Sequence, residues 1–515
     1  MEIELKLALP PQQAAAFLKR MARRRSVPLE QDLVTRYFYT PDFVLSAQGV
    51  ALRVRRVGRR WLQTLKTEGE RQGGLSRRAE FEMPVRRGVP DWNRFPPEAL
   101  AYVPDALREH VVPVFETRFH RTAWLLKGKG GAQIEVALDV GAVVAGERSQ
   151  PICEIELELK SGQPDALFAL ALEWAAAFDC LPFDISKAER GVRLAHGVVA
   201  APVKSVPLAL DDGMGVEEGY AAIVQACLAQ FQANLPGVLA TGDIEYVHQA
   251  RVALRRLRAA LRLFRNACGL PPELLDGLRA LAAALGPARD WDVLCSETLP
   301  AIAPHYPDAD AWQRGMQALE ARRIAVRTAM RDALTQARPG AWLLAMQRWL
   351  LQHGWRLYPE GHKYPEGQAV PAAQRFVQLA PLDAWVRRAL QKGHRPIVRG
   401  ARDFAKLSPA QCHALRIAIK RQRYAAEFFQ SMFEGRPKGC RQRQARYLAV
   451  LRDAQDSLGR ANDAHIASGL LAAADVDAGP MGCFALGWLA AKQAEADNGE
   501  RAGLLRAFLE SKPYW

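Results

Sequence analysis

Charged residues recur at alternate positions in several short segments of the first 200 or so residues, a spacing that gathers them on one face of a strand. Glu2, Glu4 and Lys6 share one face, and Ile3, Leu5 and Leu7 the other. The same division separates Arg53 and Arg55 from Leu52 and Val54, and Arg78, Glu80 and Glu82 from Ala79, Phe81 and Met83. Glu135 and Asp139 stand against Ile134, Val136 and Leu138, and Glu154, Glu156, Glu158 and Lys160 against Ile155, Leu157 and Leu159. Lys66 and Arg118 lie on further candidate strands. A half-solvated strand also turns polar side chains to water, but it usually mixes in Ser, Thr and Gln. Three carboxylates on one face repel unless cations sit between them. Carboxylates hold hard divalent cations, which bridge and polarise phosphate groups. Lys and Arg neutralise phosphate oxygens, Arg with a two-pronged fork. Both sets converging in one interior would suit a metal-complexed polyphosphate.

A second constellation lies in the later half and is duplicated. Residues 248–264, HQARVALRRLRAALRLF, align without gaps to residues 413–429, HALRIAIKRQRYAAEFF. His248, Arg251, Arg255, Arg256 and Arg258 match His413, Arg416, Lys420, Arg421 and Arg423. LGPARDWDV at 285–293 and LGRANDAHI at 458–466 follow in the same order, aligning Asp290 with Asp463. At about 100° per residue, His248, Arg251, Arg255, Arg258 and Arg262 fall in one arc, and Ala250, Leu254, Leu257, Leu261 and Phe264 in another. Such a helix buries one face and presents cations on the other. A stripe of one sign is costly at i,i+4 spacing, and it recurs in the duplicate except where Glu427 stands in place of Arg262.

The elements that must position these groups change near residue 200. Eight segments read as strands: 2–8, 34–40, 50–57, 60–67, 76–85, 116–126, 132–144 and 151–160, with helical stretches at about 11–24 and 164–178. They predict an antiparallel sheet or barrel. The segment 197–213 has no helical stripe and reads as a linker, with its core at 201–213. Beyond it the periodicity is helical, with breaks expected at Leu235-Pro236-Gly237 and at 268–272, 338–340, 359–371 and 431–439. The chain is thus expected to be multidomain: an α+β barrel over 1–200, then an all-α domain over 214–515 with repeat halves at about 214–335 and 380–515.

Seventy Lys and Arg against 55 Asp and Glu give a net charge of +15 and a pI near 9.6, which favours polyanionic partners. Nucleic acid is disfavoured by the paucity of aromatics near the basic stripes. The eight cysteines form no C-x-x-C pair, so no zinc site or redox couple is expected. With no secretory signal at MEIELKLALP and no apolar run of membrane-spanning length, a soluble cytoplasmic protein is expected.

The opening Glu2-Ile3-Glu4-Leu5-Lys6, the Arg53-x-Arg55 strand, Lys66, the Arg78-x-Glu80-x-Glu82 strand, the Glu154-x-Glu156-x-Glu158 strand and the SKAERG segment at 186–191 resemble the CYTH family, or triphosphate tunnel metalloenzymes. The resemblance implies an eight-stranded antiparallel tunnel hydrolysing triphosphates with Mg²⁺ or Mn²⁺. It implies that Lys6, Arg53, Arg55, Lys66, Arg78, Arg118 and Lys187, with Arg190 as a further candidate, bind triphosphate. Metal ligands would come from Glu2, Glu4, Asp139, Glu154, Glu156 and Glu158, with Glu80 and Glu82 contributing, and Glu2, Glu4 and Lys6 would serve catalysis. The duplicated helices resemble the CHAD domain, which implies two pseudo-symmetric helical bundles and a surface for inorganic polyphosphate built from the ten aligned residues. Polyphosphate granules are then a further expected location.

The leading expectation is an inorganic triphosphatase with a polyphosphate-binding module. Nucleoside or thiamine triphosphatase, class IV adenylate cyclase, a polyphosphate-granule binding protein with little catalysis, and nucleic-acid binding are the alternatives.

Overall fold

The computed structural model describes residues 2–24, 26–357, 377–495 and 498–515. The chain divides into two compact units, Met1–Ala201 with Arg338–Gln352, and Pro202–Ala337 with His353–Trp515.

The first unit is one antiparallel sheet whose strands are β1 (Glu2–Ala8), β2 (Leu29–Tyr39), β3 (Ala51–Val57), β4 (Arg60–Lys66), β5 (Glu70–Gln72), β6 (Leu75–Arg78), β7 (Glu80–Val85), β8 (Val112–Lys127), β9 (Gln133–Ala145), β10 (Arg148–Ser161) and β11 (Leu181–Pro182). They follow the order β5-β6-β1-β10-β9-β8-β2-β3-β4-β7, with β11 on β1. All eight expected segments form strands, but the one expected at 76–85 is broken at Ala79. Its first part, β6, pairs with β1, and its second, β7, pairs with β4. One run of chain therefore joins the two ends of the path, which curls the sheet into a tunnel. The short β5 and β11 were not expected.

Register brings opposite charges together across strands. Lys6 lies opposite Glu156, Glu2 opposite Arg78, and Lys66 opposite Glu80. The apolar alternates face outward: Leu5, Leu7, Ile155, Leu157, Val136 and Leu138 are buried with Phe17 of the helix Ala14–Met21 and Trp174 of the helix Asp165–Ala175.

That outer core also takes a helix from much later in the chain, Pro339–Leu351. Its Leu344 is fully buried in the same cluster. Arg348 forks onto Asp165 at 2.6 and 2.8 Å, and Gln352 donates to Asp165 at 2.7 Å. A Cβ at Gly340 would fall 1.9 Å from the Cys180 carbonyl oxygen, so glycine permits the approach. The break expected at 338–340 is present, since Arg338 is left-handed at φ 47° and Pro339 opens the helix. The tunnel unit is nevertheless built from two stretches of chain rather than from 1–200 alone.

The second unit is helical. Val216–Ala240, Ile244–Leu263, Pro272–Val293 and Ala309–Ala337 precede Leu382–Arg402, Pro409–Phe428, Lys438–Ala473, Asp475–Glu495 and Asn498–Glu510. The two duplicated helices, Ile244–Leu263 and Pro409–Phe428, pack on one another. The break expected at Leu235-Pro236-Gly237 is absent, because Val216–Ala240 runs through Pro236. Its buried residues lie on nearly every side, and a Cβ at Gly237 would meet the Tyr246 ring at 2.2 Å. That packing outweighs the roughly 3 kcal/mol cost of an internal proline. The break expected at 359–371 lies outside the described residues. Among the described residues no helix is long and apolar enough to cross a membrane.

Leu344→Ala in the full chain should lower stability by about 2–5 kcal/mol, read as the midpoint of urea unfolding by circular dichroism. An unchanged midpoint would mean that the late helix adds no packing to the tunnel unit.

Candidate functional site

The inward faces of the sheet enclose a cavity of about 730 Å³ with as many acidic as basic side chains in its lining. Glu2, Glu4, Lys6, Arg53, Arg55, Lys66, Arg78, Glu80, Glu82, Glu156, Glu158 and Lys187 all reach it. Lys66 contacts Glu2 at 2.9 Å and Glu80 at 3.1 Å, and Arg78 contacts Glu2 at 2.9 Å and Glu4 at 3.1 Å. Arg53 reaches Glu80 at 3.3 Å, Glu82 accepts from Thr64 at 3.1 Å, and Glu158 pairs with Lys160 at 2.7 Å.

Beneath the lining, Asp139 and Glu154 are fully buried. The Lys187 ammonium touches Glu154 at 2.5 Å, Asp139 at 2.6 Å and Glu156 at 2.7 Å. Lys187 opens the helix Lys187–Ala195, whose N-cap Ser186 accepts from the Glu189 amide at 3.1 Å. A Cβ at Gly191 would fall 1.9 Å from the Phe115 ring, so glycine lets this helix close down on β8 and aim Lys187 inward. Arg190, on the same helix, holds Glu154 at 3.2 Å and also donates to the Pro151 carbonyl. It braces a carboxylate from behind the cavity rather than lining it.

Arg118 is not in the site. Its side chain is 65% exposed and pairs with Glu116 on the outer face of β8. The inward residue is Arg121, which donates to Asp139 at 2.7 and 2.6 Å and also pairs with Glu156. Position 118 shares parity with Glu116 and His120, whereas 121 shares it with buried Thr117 and Phe119 and stands opposite Asp139 in register. That parity was the available signal. The Phe119 ring in turn has Lys187, Arg121 and Arg55 within 5.0, 5.7 and 5.9 Å of its centre.

These neighbours set the protonation equilibria. Burial pushes up the Glu2 carboxyl, but Lys66 and Arg78 overcome it and hold it well below the usual carboxylate range. Glu156 is also held low against burial, by Lys187, Arg121 and Lys6. Burial and then the Glu156 carboxylate push Glu4 up to about 7, against Lys6 and Arg78. Arg55 is brought down to about 9 by burial and by Arg53 and Arg121. Its hydrogen bond goes to Thr35 Oγ1 at 3.0 Å, and among the described residues it has no carboxylate partner.

Asp139, Glu154 and Glu156 each offer a carboxylate oxygen, all within 4.8 Å of one another. Buried Glu154 Oε1 meets the ammonium groups of Lys187 at 2.5 Å and Lys6 at 4.0 Å. Hard oxygen donors at this separation fit a divalent cation, which would share the three with Lys187. Glu2, Glu4, Glu80, Glu82 and Glu158 stand outside this trio.

In the helical unit the two stripes converge. Arg255 and Arg416 lie beside Lys420, with Arg423 and Asp463. Arg251 approaches Asp290 at 3.9 Å, and Asp290 lies close to Asp463, so the aligned acids also meet. The Nε atoms of Arg255 and Arg416 are buried without hydrogen-bond partners among the described residues. Burial, then Arg255 and Arg416, bring Lys420 down to about 8, and burial and Arg289 lower His248. Arg258 and His413 are exposed. Arg256 is not open to a ligand in this way: it is buried over the Phe428 ring at 4.9 Å and pairs with Glu427 at 3.4 Å. Glu427 also holds Arg423 at 2.8 Å. Exposed Arg421 faces away from the cluster, toward Arg262 and Arg265.

The CYTH domain family model matches residues 1–192, and the CHAD domain family model matches residues 222–472. The chain carries a CYTH domain followed by a CHAD domain. An inorganic triphosphatase of Haemophilus influenzae is 34% identical over 204 residues, 38% of this chain and 54% of that protein, so the match spans about half of the relative's length. The crystal structure of the CHAD domain from the plant Ricinus communis is 32% identical, covers 60% of this chain and 98% of its own, and superposes with a TM-score of 0.50.

Within the CYTH domain, Arg121→Met should cost about 3–5 kcal/mol, because it removes one of the two cations, with Lys187, that Asp139 and Glu156 share and leaves Lys187 alone against three buried carboxylates. Arg118→Ala should change stability by no more than about 0.5 kcal/mol. Urea unfolding of both variants tests the assignment, and equal effects would refute it.

Proposed function

We propose that the CYTH domain is a metal-dependent inorganic triphosphatase, converting PPPi to Pi and PPi, and that the CHAD domain binds inorganic polyphosphate. The observation that carries the first part is Arg55, a guanidinium recessed in the tunnel beside Arg53 and Arg121 with no carboxylate partner among the described residues. An unpaired buried cation is costly, and an incoming phosphate oxygen relieves that cost. Arg53, Arg55, Lys66 and Arg78 hold the non-bridging oxygens, while Lys6 and Lys187 neutralise charge near the three carboxylates. Arg121 and Arg190 fix the orientation of Glu156 and Glu154. Glu4, bonded to Arg78 through Oε2, is assigned to take the proton of the attacking water. Asp139, Glu154 and Glu156 would hold Mg²⁺ or Mn²⁺, which when bound would supply Lewis-acid polarisation of the phosphoryl group and offset its charge.

Inorganic triphosphate is favoured over a nucleotide or thiamine ester by the state of the lining aromatics. Tyr37 and Tyr39 are nearly fully buried and stack on Phe115 at 4.7 and 5.9 Å, so a ring would meet mainly charge. The named activity of the Haemophilus relative supports the same substrate.

Phosphate release from PPPi, ATP, thiamine triphosphate and long-chain polyphosphate, with Mg²⁺ or Mn²⁺ and then with chelator, tests this reading. PPPi should be the preferred substrate and chelation should abolish release; no metal-dependent release from any triphosphate would sink it. Arg55→Ala should lower kcat/KM for PPPi by about 100-fold or more.

For the CHAD domain, Arg251→Glu with Arg416→Glu should weaken polyphosphate retention and flatten its salt dependence. Lys420 adds a pH signature. Its amine, facing Arg255, Arg416, Arg423 and Asp463, sits near 8 instead of 10.5, so its charge is present below that pH and lost as pH rises through it. Retention should fall between pH 7 and 9, and Lys420→Arg should remove that fall. A pH-independent wild type would take Lys420 out of the binding surface.

A further inference from the structure

A second cavity, of about 440 Å³, lies wholly within the helical unit, away from the point where the stripes converge, with Arg262 from the end of the first stripe on its edge. It is framed by the helices Ile244–Leu263, Leu382–Arg402 and Pro409–Phe428. Arg262, Arg265, Arg388, Lys392 and Arg421 surround it, and no Asp or Glu lines it among the described residues. All five are exposed, and none is ion-paired among the described residues. Burial together with Arg262 and Arg265 lowers Arg421, a sign that the cations repel one another. Most cations of the tunnel, by contrast, have a carboxylate within 4 Å.

The floor differs in kind from the rim. It is built from Ala259, Leu263, Ala389, Ala418 and Ala425, together with the Trp385 indole. That indole stacks on Phe264, with ring centres 4.4 Å apart and planes 17° apart, and remains partly exposed. A rim of cations alone would suit any polyphosphate. An apolar floor with a pre-oriented indole is wasted on a bare phosphate chain, whose every group is hydrated, but suits a planar ring. The volume falls in the range of small-molecule sites, roughly 300–1,000 Å³.

We propose that this cavity is a nucleotide-binding site, distinct from the tunnel and from the Arg255, Arg416 and Lys420 cluster where the stripes converge. It takes a nucleoside di- or triphosphate with the base over Trp385 and the phosphates among Arg262, Arg265, Arg388, Lys392 and Arg421. Only Arg421 belongs to the duplicated basic set. Its repeat partner Arg256 is buried against Phe428, so the site occurs in one half of the repeat.

Photolabelling of the full chain with 8-azido-ADP, followed by peptide mapping, tests the proposal. The expected label falls on peptides carrying Trp385 or residues 259–266. Arg388→Glu with Lys392→Glu, both on the exposed rim, should reduce it at least 10-fold, and Trp385→Leu several-fold, with unchanged circular dichroism. Unlabelled ADP should compete far better than pyrophosphate. Label confined to residues 1–201 would overturn the proposal, as would label indifferent to the charge reversals. Equal competition by pyrophosphate with no effect of Trp385→Leu would also overturn it, making the cavity a phosphate-only extension of the polyphosphate surface.

Discussion

The first unit depends on the mutual neutralisation of charges that its own strands bury, and the Lys187 ammonium among Asp139, Glu154 and Glu156 is its centre. Removing any one of these ions from water costs several kcal/mol, recovered only when geometry is good and partners are complete. The sheet meets that condition through register. β1, β9 and β10 set Lys6 opposite Glu156 and Glu154 opposite Asp139. A slip of one residue would turn the whole set to the outside and bring Leu5, Leu7, Ile155 and Leu157 into the tunnel. The outer core under Trp174 and Leu344 is therefore what holds the charges in place.

The second unit meets the opposite electrostatic condition. It collects cations of one sign from two duplicated helices and gives them few acids, Asp290 and Asp463 being the pair near the centre. Here the apolar faces do the positioning: Ala250, Leu254, Leu257 and Phe264 are buried, as are Leu415, Ile419 and Ala426 on the partner helix. Repulsion is tolerated because the cluster is only partly buried, and burial followed by that repulsion lowers the Lys420 amine. Glu427, which breaks the repeat, has a structural explanation: it pairs with Arg256 of one helix and Arg423 of the other, tying the two halves together.

Parity made the tunnel legible in the sequence, because period-two charge is a local property that needs no knowledge of what packs where. At β8, where Arg118 and Arg121 are both arginines on one strand, the signal was weaker: it lay in the parity of Arg121 with Thr117 and Phe119 and in its register with Asp139 of β9. The interruption at Ala79 was hidden for a similar reason, since 76–85 reads as one strand and its division depends on two different partners. The helix Pro339–Leu351 carries ordinary helical periodicity, and nothing within it states that Leu344 and Arg348 belong with Trp174 and Asp165. Pro236 misled in the other direction, because local propensity gave way to burial along the whole of Val216–Ala240. The repeat was legible because His248 to Arg258 and His413 to Arg423 could be compared directly; that Arg256 and Arg421 serve different surroundings could not.

The balance of charge around the tunnel limits what it can accept. Acidic and basic side chains are equal in number in the lining, so a bare polyanion entering it meets a cavity with no net positive charge. Its favourable contacts with Arg53, Arg55 and Lys66 would come with repulsion from Glu2, Glu80 and Glu156. A polyanion that arrives with divalent cations divides its charge as the lining does, phosphate oxygens toward the arginines and metal toward the buried carboxylates. Lys187 then stands at the junction of the two, holding three carboxylates together when no metal shares them. Under the proposed function, selectivity for the metal complex would follow from that division, since either component alone would compete with the ion pairs of the lining without replacing both partners.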